Sequence, residues 1–193
     1  MSTEYNNITN NRFVKLARMN ESVFHISDLA NLWQIKNKNT LYTTLKRYVQ
    51  KGLLFRIYRG FYSLKEIKQI NPVLLGIKAL NKFAYLSTES VLANAGLISQ
   101  IPNQITLISS DSKKFSIGNN FYISRKLNDK FLFNPVGIKL KNGFYQASIE
   151  RAVADLLYLN PHYFFDGAKI INWKEVKKIQ QEIGYPILIK NNK

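Results

Sequence analysis

Residues 37–64, NKNTLYTTLKRYVQKGLLFRIYRGFYSL, constrain the fold more than any other stretch of the chain. Leu41, Leu45, Tyr48 and Val49 recur at i, i+4, i+7 and i+8, which puts them on one side of a helix and leaves the other side polar. Gly52 follows where a helix should end, because glycine takes the left-handed conformation of that position without a Cβ clash. Two β-prone runs then flank Arg59-Gly60, a link short enough to predict a tight hairpin. A helix thus feeds directly into a hairpin.

The same stretch is unusual in charge. Between Asp28 and Glu66 lie Lys36, Lys38, Lys46, Arg47, Lys51, Arg56, Arg59 and Lys65, with no carboxylate among them. The whole chain of 193 residues carries +16, from 28 Lys and Arg against 12 Asp and Glu. Residues 1–70 hold 12 of the bases and 4 of the acids, and residues 71–193 hold 16 and 8, so each part carries +8 but the first is far denser. Such a balance favours nucleic acid or another anionic surface as partner. A lysine- and asparagine-rich composition would also raise the total, yet it does not account for the acid-free run.

The elements around this stretch fall into an order. A first helix is expected over residues 7–19, with Ile8, Phe13, Leu16 and Ala17 on one face. Phe24, His25 and Ile26 form a short extended piece, and Ser27 stands as N-cap of a helix DLANLWQ that turns Leu29, Leu32 and Trp33 inward. Helix, helix, turn, helix and hairpin in sequence predict a winged helix-turn-helix over residues 1–70. On the exposed side of its third helix, from Thr40 to Lys51, stand Asn39, Thr43, Lys46, Arg47 and Gln50, with Thr40 beside them. Arg can donate two bonds to guanine, Asn or Gln can pair twice with adenine, and Thr can bond or touch the thymine methyl. Lys46, Lys51, Arg56 and Arg59 suit phosphates, and Lys38 and the Gly60 turn complete the expected DNA-facing set. His25 and Trp33 read as packing residues.

Residues 71–193 read as a second domain. Pro72 is placed to start a connecting helix, NPVLLGIKALNK. A helix capped by Ser87 follows, then strands in QITLISS and NNFYISR and two or three more up to Tyr145. Ser148 is the expected cap of ASIERAVADLLYLNP, and Asn172 with Glu175 form a capping-box pattern before the last helix. The fold class expected is therefore α+β, a winged helix-turn-helix followed by a mixed α/β domain.

Three segments in this order, GLLFRIYRGFYSL, AYLSTESVLANAGLISQIPNQITLIS and ASIERAVADLLYL, resemble the AbiEi-type antitoxins, which partner nucleotidyltransferase toxins in bacterial abortive-infection systems. The resemblance spans nearly the whole chain and rests on order and spacing. It implies an N-terminal domain that binds DNA and represses its own operon, and a C-terminal antitoxin domain. It also puts Thr43, Arg47 and the Arg59-Gly60 wing in the DNA-reading segment. This chain has Ile149 where relatives tend to have a proline before the glutamate, a position either residue can fill at a helix start.

Enzymatic patterns are weak. There is no Gly-rich phosphate loop, and His25 and His162 are the only histidines. Glu150 and Asp155 lie five residues apart, about 140° around a helix, and read as helix-terminal, structural charges. The chain has no cysteine, so disulfides and thiolate metal sites are excluded. No segment reaches the roughly 18 apolar residues of a membrane span, and MSTEYNNITNNR lacks the core of a secretory signal. The expectation is a cytoplasmic repressor and antitoxin without enzymatic activity or cofactor. Its partners would be double-stranded operator DNA with inverted repeats and a nucleotidyltransferase toxin, met directly or functionally. It could be monomeric in solution and paired on DNA. The alternative is a stand-alone protein- or nucleic-acid-interaction module without operator specificity.

Overall fold

The apolar stripe at Leu41, Leu45 and Tyr48 is buried in the structure, a computed structural model that describes residues 12–99 and 103–188. The chain is mixed α+β and divides into two units, Met1–Asn71 and Pro72–Lys193.

The first unit contains a helical stretch at 12–17, then β1 (Val23–His25), α1 (Ile26–Trp33), α2 (Lys38–Gln50), β2 (Phe55–Tyr58) and β3 (Phe61–Ser63). Strand β3 lies between β1 and β2 and is antiparallel to both. Leu16, Phe24, Leu29, Leu45, Tyr48 and Leu54 form the centre of its core, and Trp33 meets Tyr48 edge-on at 5.2 Å. Each such side chain contributes roughly 1.5–3 kcal/mol on burial. Trp33 also donates its indole N–H to the carbonyl of Arg12, tying the first helical stretch to α1. Ala17, expected inside, is exposed, about 100° round the helical stretch from the buried Leu16; Ile8 and the rest of residues 7–11 lie outside the described residues.

Two helix starts differ from the sequence expectation. Helix α1 begins at Ile26 rather than after Ser27, since β1 runs straight into it. The first amides are taken by other partners: Ile26 N–H donates to the Gly60 carbonyl at 2.9 Å, and His25 N–H donates to the Asp28 carboxylate at 2.8 Å. Helix α2 starts at Lys38, two residues before Thr40, because the Asn37 side chain accepts from the amides of Asn39 and Thr40. At its end Gly52 has φ +68°, its N–H reaches the Val49 carbonyl, and Leu53 N–H reaches that of Tyr48. That pair of bonds is a Schellman closure.

The second unit holds α3 (Pro72–Leu80), β4 (Ala84–Leu86), α4 (Glu89–Asn94), β5 (Ile105–Ser109), β6 (Lys113–Ile117), β7 (Asn120–Lys126), α5 (Asp129–Leu132), β8 (Ile138–Lys141), β9 (Phe144–Ala147), α6 (Ile149–Leu159) and α7 (Trp173–Ile183). Its six-stranded sheet has the order β6-β7-β5-β4-β9-β8, with β5–β7 and β4–β9 parallel and the other pairs antiparallel. Pro72 does open α3, and Gly76 lets that helix close on the Tyr122 ring, where a Cβ would come within 2.3 Å. Ser148 caps α6 by accepting from Arg151 N–H, and Asn172 caps α7 by accepting from Glu175 N–H.

Ser87 does not cap α4. Its hydroxyl donates instead to Asp155, 2.8 Å away, and the helix starts after Thr88, whose φ of +50° marks a sharp change of direction. Asp155 is not a terminal charge either. It lies inside α6, fully buried, and accepts from Arg151 Nε, Tyr85, Ser87 and Tyr185. The buried Arg151 spends its other donors on Tyr85 and on the carbonyls of Phe131, Asn134 and Val136. Burial works against the Arg151 charge, but Asp155, Tyr85 and Tyr185 outweigh it and hold the guanidinium protonated.

This network generates two expectations. Asp155→Ala strands a buried guanidinium, and should lower the stability of the unit by about 3–5 kcal/mol in denaturant unfolding. Burial, followed by the nearby Asp155 charge, also pushes the Tyr85 and Tyr185 hydroxyls far above the ordinary 10.0, and burial pushes Tyr122 up to about 12. Below pH 10 folded and unfolded chains both keep these protons; above it the unfolded chain releases them first, so stability falls as pH rises through about 12 and beyond. In an alkaline titration the phenolate absorbance of Tyr85 and Tyr185 should therefore appear together with loss of the helical circular-dichroism signal, not before it.

Candidate nucleic-acid interface

Helix α2 is held by its buried side, so its opposite side is fixed in direction. Lys38, Asn39, Thr40, Thr43, Lys46, Arg47, Gln50 and Lys51 are all exposed. Asn39, Thr43, Lys46 and Gln50 follow at steps of four, three and four residues and make a continuous stripe opposite Leu41 and Tyr48. Thr40, Arg47 and Lys51 flank that stripe on one side; Tyr42 and Val49 flank it on the other. The first turn of α2 carries Lys38 and no acid, so no carboxylate of that turn offsets the positive end of the helix dipole.

The hairpin supplies the facing wall. In β2 the side chains alternate, with Arg56 and Tyr58 exposed and Phe55 and Ile57 partly buried. Arg56 sits opposite Tyr62 on β3, and the register shifts before Tyr58 pairs with Phe61. Arg59 and Gly60 make the turn, with Gly60 at φ +82°. Phe61, fully buried, contacts the His25 and Tyr58 rings at centroid distances of 4.6 and 5.0 Å. The turn is thus tied to the start of α1 by a backbone hydrogen bond and by ring contacts.

Between helix and hairpin lies an open groove of about 540 Å³. Leu45, Val49 and Tyr62 form its apolar floor; Tyr42, Lys46 and Gln50 line it from the helix, and Arg56 and Arg59 from the hairpin. Burial pushes the Tyr62 hydroxyl up, while the Arg56 charge pulls it down. Of the residues expected from sequence, Lys46, Gln50, Arg56 and Arg59 meet in this groove. Asn39 and Thr43 stand along the helix stripe, whereas Thr40, Arg47 and Lys51 are on the far flank. Sequence reading missed Tyr42, 44% exposed, although an aromatic side chain four residues before Lys46 in a basic helix was a visible signal.

Elsewhere, the carboxylates of Glu150 and Asp155 form no shared acid–base site, since Asp155 is fully buried and bonded to Arg151. Among the described residues, no three or more His, Asp or Glu side chains are grouped to hold a metal ion. Nor is any helix among them long and apolar enough to cross a membrane.

No family model and no curated protein sequence matches this chain. Among solved structures, the Rv2827c protein from Mycobacterium tuberculosis is similar in fold, with 13% sequence identity and a TM-score of 0.51. The likeness covers 93% of this chain and 72% of that one, and at this identity it concerns the fold alone.

The groove depends on the geometry of its turn. A Cβ at Gly60 would make only ordinary contact with Ile26, at 3.6 Å, so a substitution there acts through the backbone. Gly60→Ala should cost about 1–2 kcal/mol in the left-handed conformation. Thermal unfolding of the variant against the parent chain measures this cost, with core-probe tryptophan fluorescence expected to stay native below the transition.

Proposed function

We propose that this chain is a DNA-binding transcriptional repressor of the AbiEi antitoxin type. In this reading the first unit is a winged helix-turn-helix whose α2 enters the major groove of duplex DNA, while the β2–β3 hairpin holds the adjacent backbone. The second unit is the antitoxin domain that counters a nucleotidyltransferase toxin. The protein acts in the cytoplasm, without catalysis or cofactor, as a monomer that pairs on inverted repeats.

One observation carries the reading: a helix anchored by its apolar side turns Asn39, Thr43, Lys46, Arg47 and Gln50 outward, beside a hairpin bearing Arg56 and Arg59. These are the residue types that bond base edges and phosphates. The run between Asp28 and Glu66 carries eight cations and no acid, a charge density favourable to set against phosphates. For the antitoxin half, support comes from sequence resemblance and from exposed apolar side chains on the second unit. Phe133, Leu140 and Tyr145 are 60%, 66% and 45% exposed, and Phe133 and Tyr145 both contact the Phe83 ring. A patch of this kind suits a protein contact.

The test is a binding titration with DNA from upstream of the gene and with random duplex of equal length. With six to ten phosphates engaged, affinity should fall roughly a thousandfold or more between about 50 and 200 mM salt. Arg47→Ala should weaken operator binding and narrow the gap between operator and random DNA. Lys46→Ala should weaken both evenly. Equal losses on both DNAs for both variants would remove base reading by α2. Co-expression with a nucleotidyltransferase toxin, sought among the neighbouring genes, tests the second role, protection of growth being the expected result.

A further inference from the structure

We infer, resting on the DNA-binding reading above, that the groove beside α2 seats one strand of the duplex. A deoxyribose packs on the Tyr42 ring, and its phosphates are held by Lys46 on one lip and Arg56 and Arg59 on the other. The chemistry of the groove matches that of a sugar-phosphate strand. Its cations stand at the lips, one from the helix and two from the hairpin, whereas Leu45, Val49 and Tyr62 make the floor apolar. A base edge would need several donors and acceptors in that floor. A deoxyribose, the least polar part of a nucleotide, does not.

The groove also has the reach. Tyr42 and Gln50 are eight residues apart, about 12 Å along a helix. That is the length of a short piece of one strand, whose nucleotides rise roughly 3.4 Å each along the duplex axis and lie farther apart along the backbone. It is preformed as well, since the Gly60 carbonyl accepts from Ile26 N–H and Phe61 is buried between His25 and Tyr58. A preformed seat loses little order when it is filled. Tyr42 lies outside the buried core cluster of the first unit, so its ring is placed on the surface at the groove edge.

The experiment uses the full chain and fluorescence anisotropy with a labelled random-sequence duplex and its single strand across a salt series. Arg56→Gln with Arg59→Gln should weaken duplex binding and reduce the salt slope by about 2. Tyr42→Ala should weaken duplex binding about tenfold with the salt slope unchanged, and Tyr42→Phe should restore it, because packing and not the hydroxyl is at work. Native thermal unfolding of each variant shows that the loss is local. If Tyr42→Ala binds duplex as the parent does while the arginine pair weakens it, the strand seat is wrong and the DNA reading stands. If the arginine pair, Lys46→Ala and Arg47→Ala all bind as the parent does, the DNA reading itself falls. A larger loss for Tyr42→Ala on single strand than on duplex would mean a stacked base, and would overturn the seat.

Discussion

Helix α2 can show a polar face only because Leu41, Leu45 and Tyr48 pin the other face to Leu16, Leu29, Trp33 and Leu54. Three anchors at steps of four and three leave the helix no freedom to roll, since any rotation would expose one of them. The direction of every exposed side chain from Lys38 to Lys51 is a consequence of that burial. The hairpin obeys the same constraint: Tyr62, with 5% exposure, belongs to the core cluster and also paves the groove. One set of apolar contacts therefore builds both walls of the candidate interface.

The second unit solves a different problem. Its central helix α6 buries an ion pair, which is weak evidence for stability when the charges lack further partners. Here the partners are supplied: three hydroxyls reach Asp155, and three backbone carbonyls and a hydroxyl reach Arg151. Those donors and acceptors come from β4, from the turn before α4, from α5 and the segment that joins it to β8, and from Tyr185 beyond α7. The polar cluster thus fixes the relative placement of elements that are distant in sequence, a specificity that apolar contacts alone supply poorly.

Much of this was legible in the sequence wherever a local pattern decided the outcome. The 41–49 stripe, the glycine after α2, Pro72 at a helix start and the Ser148 and Asn172 caps all depend on neighbours within a few residues. Ser27 and Ser87 misled for the opposite reason. A serine before an apolar run signals a cap, but Asp28 and Gly60 satisfied the start of α1, and Asp155, 68 residues away in sequence, took the Ser87 hydroxyl. Arg151 and Asp155 stand at i and i+4, a visible pair, yet their burial is decided by Tyr85, Tyr185 and three carbonyls that no local pattern reveals. The groove was hidden similarly: Tyr42 and Tyr62 became one site only when helix and hairpin met.

The bond from Ile26 to Gly60 closes the hairpin onto the first residue of α1, so the turn is anchored to the helix start. Hairpins that project freely can bend to follow a partner's contour; this one is bolted at its tip. Whatever lies along the groove meets a template of set width, and the work of adjusting shape passes to the partner. For a double helix, that would make local stiffness and groove width matter even at positions no side chain touches.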